Sequence, residues 1–149
     1  MVRRGRVLSC SVTGLTVVLV TLVVATLAGV LVRRRDGVPR EVGGDVERLT
    51  SGELDAPLGE RATLVQFSSA FCQPCRATRR ILSEVVELVP GVAHLEIDAE
   101  SRLDLVRSLN ILRTPTVLIL DASGRVVKRA SGQPRKADVI GALGLAVGE

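Results

Sequence analysis

A run of 21 residues without a charge, Val12–Val32, constrains this chain more than any other feature. A helix of that length rises about 30 Å, which matches the hydrocarbon core of a bilayer. No polar face interrupts the run, which argues against a buried helix of a soluble core. It ends directly in three Arg residues rather than in a small-residue cleavage site. We therefore predict an uncleaved helix that spans the lipid bilayer once.

The charges that flank this run nearly balance. Three Arg precede it and four follow it within the first 40 residues. Because Lys and Arg accumulate on the cytoplasmic side of a membrane helix, this arrangement gives little preference for either orientation. A translation start at Val12 would leave only the second cluster, and the rest of the chain would then lie in the cytoplasm.

The remainder of the chain has no basic surplus. From Glu41 onward, 13 Lys and Arg stand against 15 Asp and Glu, a formal charge of −2. Nucleic-acid binding requires a basic patch on the folded domain, so we expect no nucleic-acid partner. We divide the chain into a flank at 1–11, the membrane helix at 12–32, a Gly- and Pro-containing linker at 33–45, and one domain at 46–149.

Strand and helix patterns alternate within this domain. We predict a short strand at 46–49, a brief helix after the Thr50–Glu53 capping box, strands at 62–68, 92–98, 116–120 and 125–130, and helices at 72–89, 102–109 and 136–147. This order is typical of an α/β domain whose sheet is mostly parallel and covered by helices on both faces. The last two strands form a hairpin that adds an antiparallel edge.

A CxxC motif, Cys72-Gln73-Pro74-Cys75, stands where a predicted strand ends and a helix begins. The free N–H groups and the dipole of a helix N-terminus favour an anion, and the thiolate is the nucleophilic form of cysteine. Pro74 is tolerated because the first turn needs no intrahelical N–H bond. We predict that Cys72 and Cys75 are a catalytic redox pair. The third cysteine, Cys10, lies alone near the N-terminus.

Two other uses of the motif fit less well. A structural zinc site needs four ligands, and the chain offers one CxxC, one His and no second pair, so we expect no metal ligands. A purely structural disulfide across two residues would constrain the unfolded chain little. A domain that handles copper or zinc through Cys72, Cys75 and His94 remains the alternative function.

With these motifs the sequence resembles the thioredoxin family over most of the predicted domain. LVQFSSAFCQPC at 64–75 is similar to the strand and active-site helix of that family, VAHLEID at 92–98 to its third strand, and Arg113–Thr116 to its cis-proline loop. The resemblance implies a thioredoxin-like mixed sheet flanked by helices. It also implies that Pro115 is cis and faces the disulfide, and that the backbone of Thr114 binds the substrate peptide.

The chain also departs from the family pattern. Phe71 replaces the usual Trp before the first cysteine, and Gln73 replaces the usual Gly within the motif. Gln66 stands where a buried acid is usual, and His94 where Lys is usual. The resemblance thus makes His94 and Gln66 the candidates for proton transfer at the second cysteine, and only His94 titrates near neutrality. Thr114 before the proline is similar to membrane-tethered, TlpA-type relatives.

We therefore predict a membrane-tethered thiol–disulfide oxidoreductase that needs no cofactor. Its expected partners are protein disulfides or dithiols and an upstream electron donor or acceptor. We favour the reductase direction and an extracytoplasmic redox domain. The resemblance also places Gly132 near the substrate groove.

Overall fold

The computed structural model describes residues 5–35, 37–41 and 48–148, and it divides into two compact units after Arg35. The first unit consists of helix α1 (Gly5–Arg35), whose side chains are exposed from Gly14 to Val32. That stretch of 19 residues is long and apolar enough to cross a membrane, a property that signal sequences share. The predicted helix is confirmed, and its passage through a bilayer stays a prediction.

The second unit contains a sheet and four helices among its described residues. Its elements are β1 (Arg40–Glu41), α2 (Ser51–Leu54), β2 (Ala62–Ser68), α3 (Gln73–Leu88), β3 (Val92–Asp98), α4 (Leu103–Ser108), β4 (Thr116–Asp121), β5 (Val126–Ser131) and α5 (Lys136–Val147). The predicted bounds of β2, β3 and α5 agree with the structure, and the other elements from α3 onward differ by one or two residues. The predicted capping box is present: the Thr50 hydroxyl accepts from the Glu53 amide, and the Glu53 carboxylate accepts from the Thr50 amide.

The sheet has the order β1-β5-β4-β2-β3, and among its described strands only β2 and β3 run parallel. The prediction of a mostly parallel sheet is therefore wrong, whereas the mixed sheet implied by the family resemblance is confirmed. The reason lies in the connection after β3, whose helix is short. Thr116 begins β4 opposite Phe67, at the sheet end where Asp98 pairs with Ser68. The six residues of α4 rise only about 9 Å, too little to return along a strand of about 23 Å.

The N-terminal edge of the sheet also differs from expectation. The predicted first strand at 46–49 falls partly outside the described residues, and Arg48 forms only an isolated bridge with Arg125. Instead, Arg40–Glu41 within the predicted linker pair with β5 as β1. The Gly37 amide also donates to the Ser131 carbonyl at 2.9 Å. Part of the predicted linker is thus bound to the edge of the sheet.

Two apolar clusters cover the two faces of the sheet. Leu64 of β2 packs with Leu82 of α3 and Leu143 of α5 on one face, and Phe67 packs with Leu105 of α4 on the other. Every residue of β2 is buried, so this strand is the centre of the domain. Its carboxyl end leads within three residues to the CxxC motif, so the motif follows the most buried strand of the sheet.

Candidate active site

The two cysteines of the motif are bonded to each other and differ in exposure. Cys72 is the N-cap of α3 and is partly exposed, whereas Cys75 is only 2% exposed. Their Cα atoms are 5.2 Å apart and a disulfide joins them. Cys72 Sγ accepts a hydrogen bond from the Cys75 amide at 3.1 Å. In the reduced protein the same amide and the helix dipole would stabilise a thiolate on Cys72.

The helix begins at this point because the sequence favours it locally. Pro74 occupies the first turn, where its missing N–H leaves no intrahelical bond unmade. Cys72 has an extended backbone conformation, with φ of −88° and ψ of 99°, so its side chain can cap the helix. Gln73 and Pro74 are both exposed. The motif therefore places the sulfur of Cys72 at the surface and that of Cys75 beneath it.

A second loop lies beside the motif. The Thr114–Pro115 peptide bond is cis, as the family resemblance predicts. The Thr114 and Ser69 hydroxyl groups are 3.0 Å apart and form a hydrogen bond, which joins this loop to the segment just before the cysteines. The Gly132 amide donates to the Pro115 carbonyl at 2.7 Å, and Gly132 has φ of 97°, a value that favours glycine. Gly132 thus contacts Pro115, and Thr114 joins this loop to the segment that precedes Cys72.

A hydrogen-bonded network lies beneath the first turn of α3. Gln66 is fully buried, and its Nε2 donates to the Cys75 carbonyl at 3.0 Å and to the Ser68 hydroxyl at 2.8 Å. The Ser68 hydroxyl in turn donates to the Glu96 carboxylate at 2.6 Å. Arg79, one turn after Cys75 on α3, donates to the same carboxylate at 2.7 Å. The network therefore connects the active-site helix to β2 and β3.

With this geometry established, comparison with known proteins identifies the family. A family model described as thioredoxin matches residues 45–143. The chain belongs to the thioredoxin family. Membership and the closed Cys72–Cys75 pair together support thiol–disulfide oxidoreductase activity.

Individual relatives are similar over the same region. Thioredoxin H4-2 of Oryza sativa subsp. japonica is 30% identical over 92 residues, which cover 58% of this chain and 70% of that protein. Thioredoxin-2 of Pyricularia oryzae is 26% identical over 93 residues, but the match spans only 54% of its length. The crystal structure of chloroplastic thioredoxin z has a TM-score of 0.57 at 23% identity and covers 72% of this chain and 99% of that one. The last likeness concerns the fold alone.

The structure separates the two proton-transfer candidates. Of these, Gln66 contacts Cys75 directly. His94 is half-buried on β3, and its Nε2 has no hydrogen-bond partner among the described residues. Burial lowers the pKa of His94, against an opposing effect of the nearby Glu96 charge. His94 is thus neutral at pH 7 and able to accept a proton, but a role at Cys75 stays a prediction.

Glu96 and Arg79 were not expected at the site from the sequence. Burial alone would raise the pKa of Glu96, but the hydrogen bonds from Arg79 and Ser68, together with the Arg79 charge, hold this pKa below its ordinary value. The signal was present in the sequence: Glu96 follows His94 by two residues and so shares its face of β3, directly opposite Gln66. An ionised carboxylate on the neighbouring strand therefore lies beside Gln66 and is hydrogen-bonded to Ser68 and Arg79.

Two apolar side chains beside the motif are unusually exposed. Phe71, which directly precedes Cys72, is 98% exposed, and Leu112 in the loop before Pro115 is 85% exposed. The exposure of Leu112 was not predictable from the sequence, because the apolar residues just before it, Leu109 and Ile111, are buried in the core. Phe71 adjoins the first cysteine, and Leu112 lies two residues before Thr114.

The described side chains give no separate support for metal handling. No group of three or more His, Cys, Asp or Glu residues within the described ranges is arranged to hold a metal ion. The two motif cysteines are engaged with each other. The alternative of a copper- or zinc-handling domain would require reduced cysteines and a third ligand.

Proposed function

We propose that this thioredoxin-family protein is a membrane-tethered reductase of protein disulfides. The observation that carries the proposal is the unequal exposure of the two cysteines. Cys72, at the N-cap of α3, is partly exposed, whereas Cys75 is only 2% exposed. A substrate disulfide can reach the first sulfur only. Cys72 is therefore the attacking thiolate and Cys75 the resolving thiol.

The reaction proceeds in two exchanges. The Cys72 thiolate attacks one sulfur of the substrate disulfide, a Cys72–substrate bond forms, and the other substrate sulfur leaves as a thiolate that takes up a proton. Cys75 then loses its proton and attacks Cys72, which closes the protein disulfide and releases the second substrate thiol. An upstream electron donor must reduce the pair again. The same site run in reverse oxidises substrate dithiols.

The substrate peptide would lie along the cis-proline loop. In support of this, Thr114 is half-buried, and its hydroxyl is hydrogen-bonded to that of Ser69, three residues before Cys72. We propose that the Thr114 backbone pairs with an extended segment of the substrate. The exposed side chains of Phe71 and Leu112 would contact apolar residues that flank the substrate cysteine.

The proposed tether is α1. It is uncharged from Val12 to Val32 and long enough to cross a bilayer. We favour an extracytoplasmic redox domain, in keeping with the TlpA-type resemblance. An alkaline phosphatase fused to the C-terminus should then be active in cells, and an inactive fusion would place the domain on the cytoplasmic side.

Substrate trapping tests the function. In the full-length Cys75→Ser variant the resolving thiol is absent, so Cys72–substrate disulfides should accumulate in cells. The matched Cys72→Ser variant retains a buried thiol and should trap none. The two variants can be compared on non-reducing gels, and equal trapping by both would contradict the assigned roles.

A further inference from the structure

Gln66 has one polar atom that the disulfide form leaves unused. Its Nε2 is occupied by the Cys75 carbonyl and the Ser68 hydroxyl. Its Oε1 is buried and has no hydrogen-bond partner among the described residues. A buried acceptor without a donor destabilises the state that contains it, so such an atom in the centre of an ordered network requires an explanation.

The orientation of this amide follows from its neighbours. Two of the groups that Nε2 faces, the Cys75 carbonyl and the Glu96 carboxylate, carry acceptor oxygens only. A flipped amide would place Oε1 against both, where no hydrogen bond could form. The Arg79–Glu96 ion pair holds that carboxylate in place. The unpaired oxygen is therefore a consequence of the network.

Reduction supplies the missing donor. When the disulfide takes up two electrons and two protons, the S–S bond breaks and Cys75 Sγ becomes an S–H group. Cys75 is 2% exposed, so this new donor is also shielded from water. It belongs to the residue whose carbonyl Gln66 already contacts. The donor and the unused acceptor thus appear in the same buried region.

We propose that Gln66 Oε1 accepts the Cys75 S–H hydrogen bond in the dithiol form and thereby makes the pair easier to reduce. This inference rests on the proposed function of the same site. The disulfide carries an unpaired acceptor and the dithiol does not, so Gln66 stabilises the dithiol relative to the disulfide. One neutral hydrogen bond changes such an equilibrium about fivefold. For a two-electron couple this corresponds to about 20 mV.

Equilibration of the full-length chain in detergent with glutathione buffers tests the proposal. One protein disulfide and two glutathione thiols give the protein dithiol and one glutathione disulfide, and alkylation followed by mass spectrometry measures the fractions. Gln66→Leu should lower the equilibrium constant for reduction about fivefold, because leucine removes the acceptor. Gln66→Met, which has an unbranched side chain of similar length, provides a second variant should the leucine fail to fold.

Thr63→Val is the matched control. Thr63 is fully buried on the same strand and accepts a hydrogen bond from the Gly59 amide, four residues before it and away from the cysteines. The Thr63→Val substitution should leave the equilibrium constant for reduction unchanged. Wild-type values for the Gln66 variants would overturn the inference while the proposed function stands. A wild-type pair that glutathione and dithiothreitol both fail to reduce would overturn the proposed function as well.

Vibrational spectroscopy gives a second readout. In a chain whose only thiol is Cys75, made by Cys10→Ala and Cys72→Ala, the S–H stretching band reports the hydrogen bond directly. Gln66→Leu in this background should shift the band toward the frequency of an unbonded thiol. A band that does not move would show that Cys75 donates elsewhere and would overturn the inference.

Discussion

The two thiols of the reduced pair should react with alkylating agents at very different rates. The comparison uses two full-length variants, Cys75→Ser and Cys72→Ser, each with one motif thiol. In the first, the remaining sulfur is at the N-cap of α3 and faces the amide of residue 75, which is 3.1 Å away in the disulfide form. In the second, the remaining sulfur lies at a position that is 2% exposed.

The magnitude follows from these two differences. A hydrogen bond to a charged group contributes about 1.5–3 kcal/mol, which raises the thiolate population of Cys72 at least about tenfold. A more acidic thiol is also a weaker nucleophile, and this offsets roughly half of the gain on a logarithmic scale, leaving about threefold to tenfold. Because Cys75 must first become accessible, the total ratio should exceed about tenfold.

The assay is iodoacetamide labelling at pH 7, quenched at timed intervals and followed by mass spectrometry. Each variant carries one motif thiol, in the tryptic peptide released by cleavage after Arg61 and Arg76, and Cys10 in another peptide, so the two thiols are measured separately. Equal labelling rates, or faster labelling of Cys75, would refute the assignment of Cys72 as the nucleophile. Labelling after unfolding in guanidinium is the control, since the rates should then converge.

Two further predictions concern the groups beneath the motif. The folded-state pKa of Glu96 lies below its ordinary value of 4.5, so its ion pair contributes stability above about pH 4.5 that is lost as the pH falls through the folded value. Glu96→Gln should therefore cost about 1 kcal/mol or less at pH 7 and progressively less as the pH falls below 4.5, measured by urea unfolding with far-UV circular dichroism because the chain has no Trp or Tyr. If His94 accepts the Cys75 proton, His94→Ala should slow release of substrate from the mixed disulfide most strongly near pH 7. Unchanged release rates from pH 6 to 8 would exclude that role.

Local pattern was sufficient to predict much of the fold. The apolar run of β2 and the helical spacing of α5 specify their own secondary structure, because each buries a continuous face. The direction of β4 was not predictable in the same way. It depends on whether α4 is long enough to carry the chain back along the sheet. The helix predicted at 102–109 is already too short for that, but the alternation of strands and helices alone favours a parallel strand.

Some residues of the active site were predictable from the sequence, and others were not. Cys72 and Cys75 are three residues apart and form a recognisable motif, and the Thr114–Pro115 loop was predicted from the family resemblance. Glu96 was missed because its partner Arg79 is 17 residues away and the two meet only when α3 packs on β3. Strand alternation places Glu96 on the same face as His94, but its contact with Arg79 arises from the packing of α3 on β3.

The measurement that tests the central claim most directly is reduction of insulin by the full-length protein with dithiothreitol as electron source. Precipitation of the freed insulin chain can be followed by turbidity, which needs no aromatic reporter in this protein. The wild-type chain should accelerate precipitation catalytically, and Cys72→Ser should return the rate to that of dithiothreitol alone. A wild-type chain that gives no acceleration over this background would contradict the account.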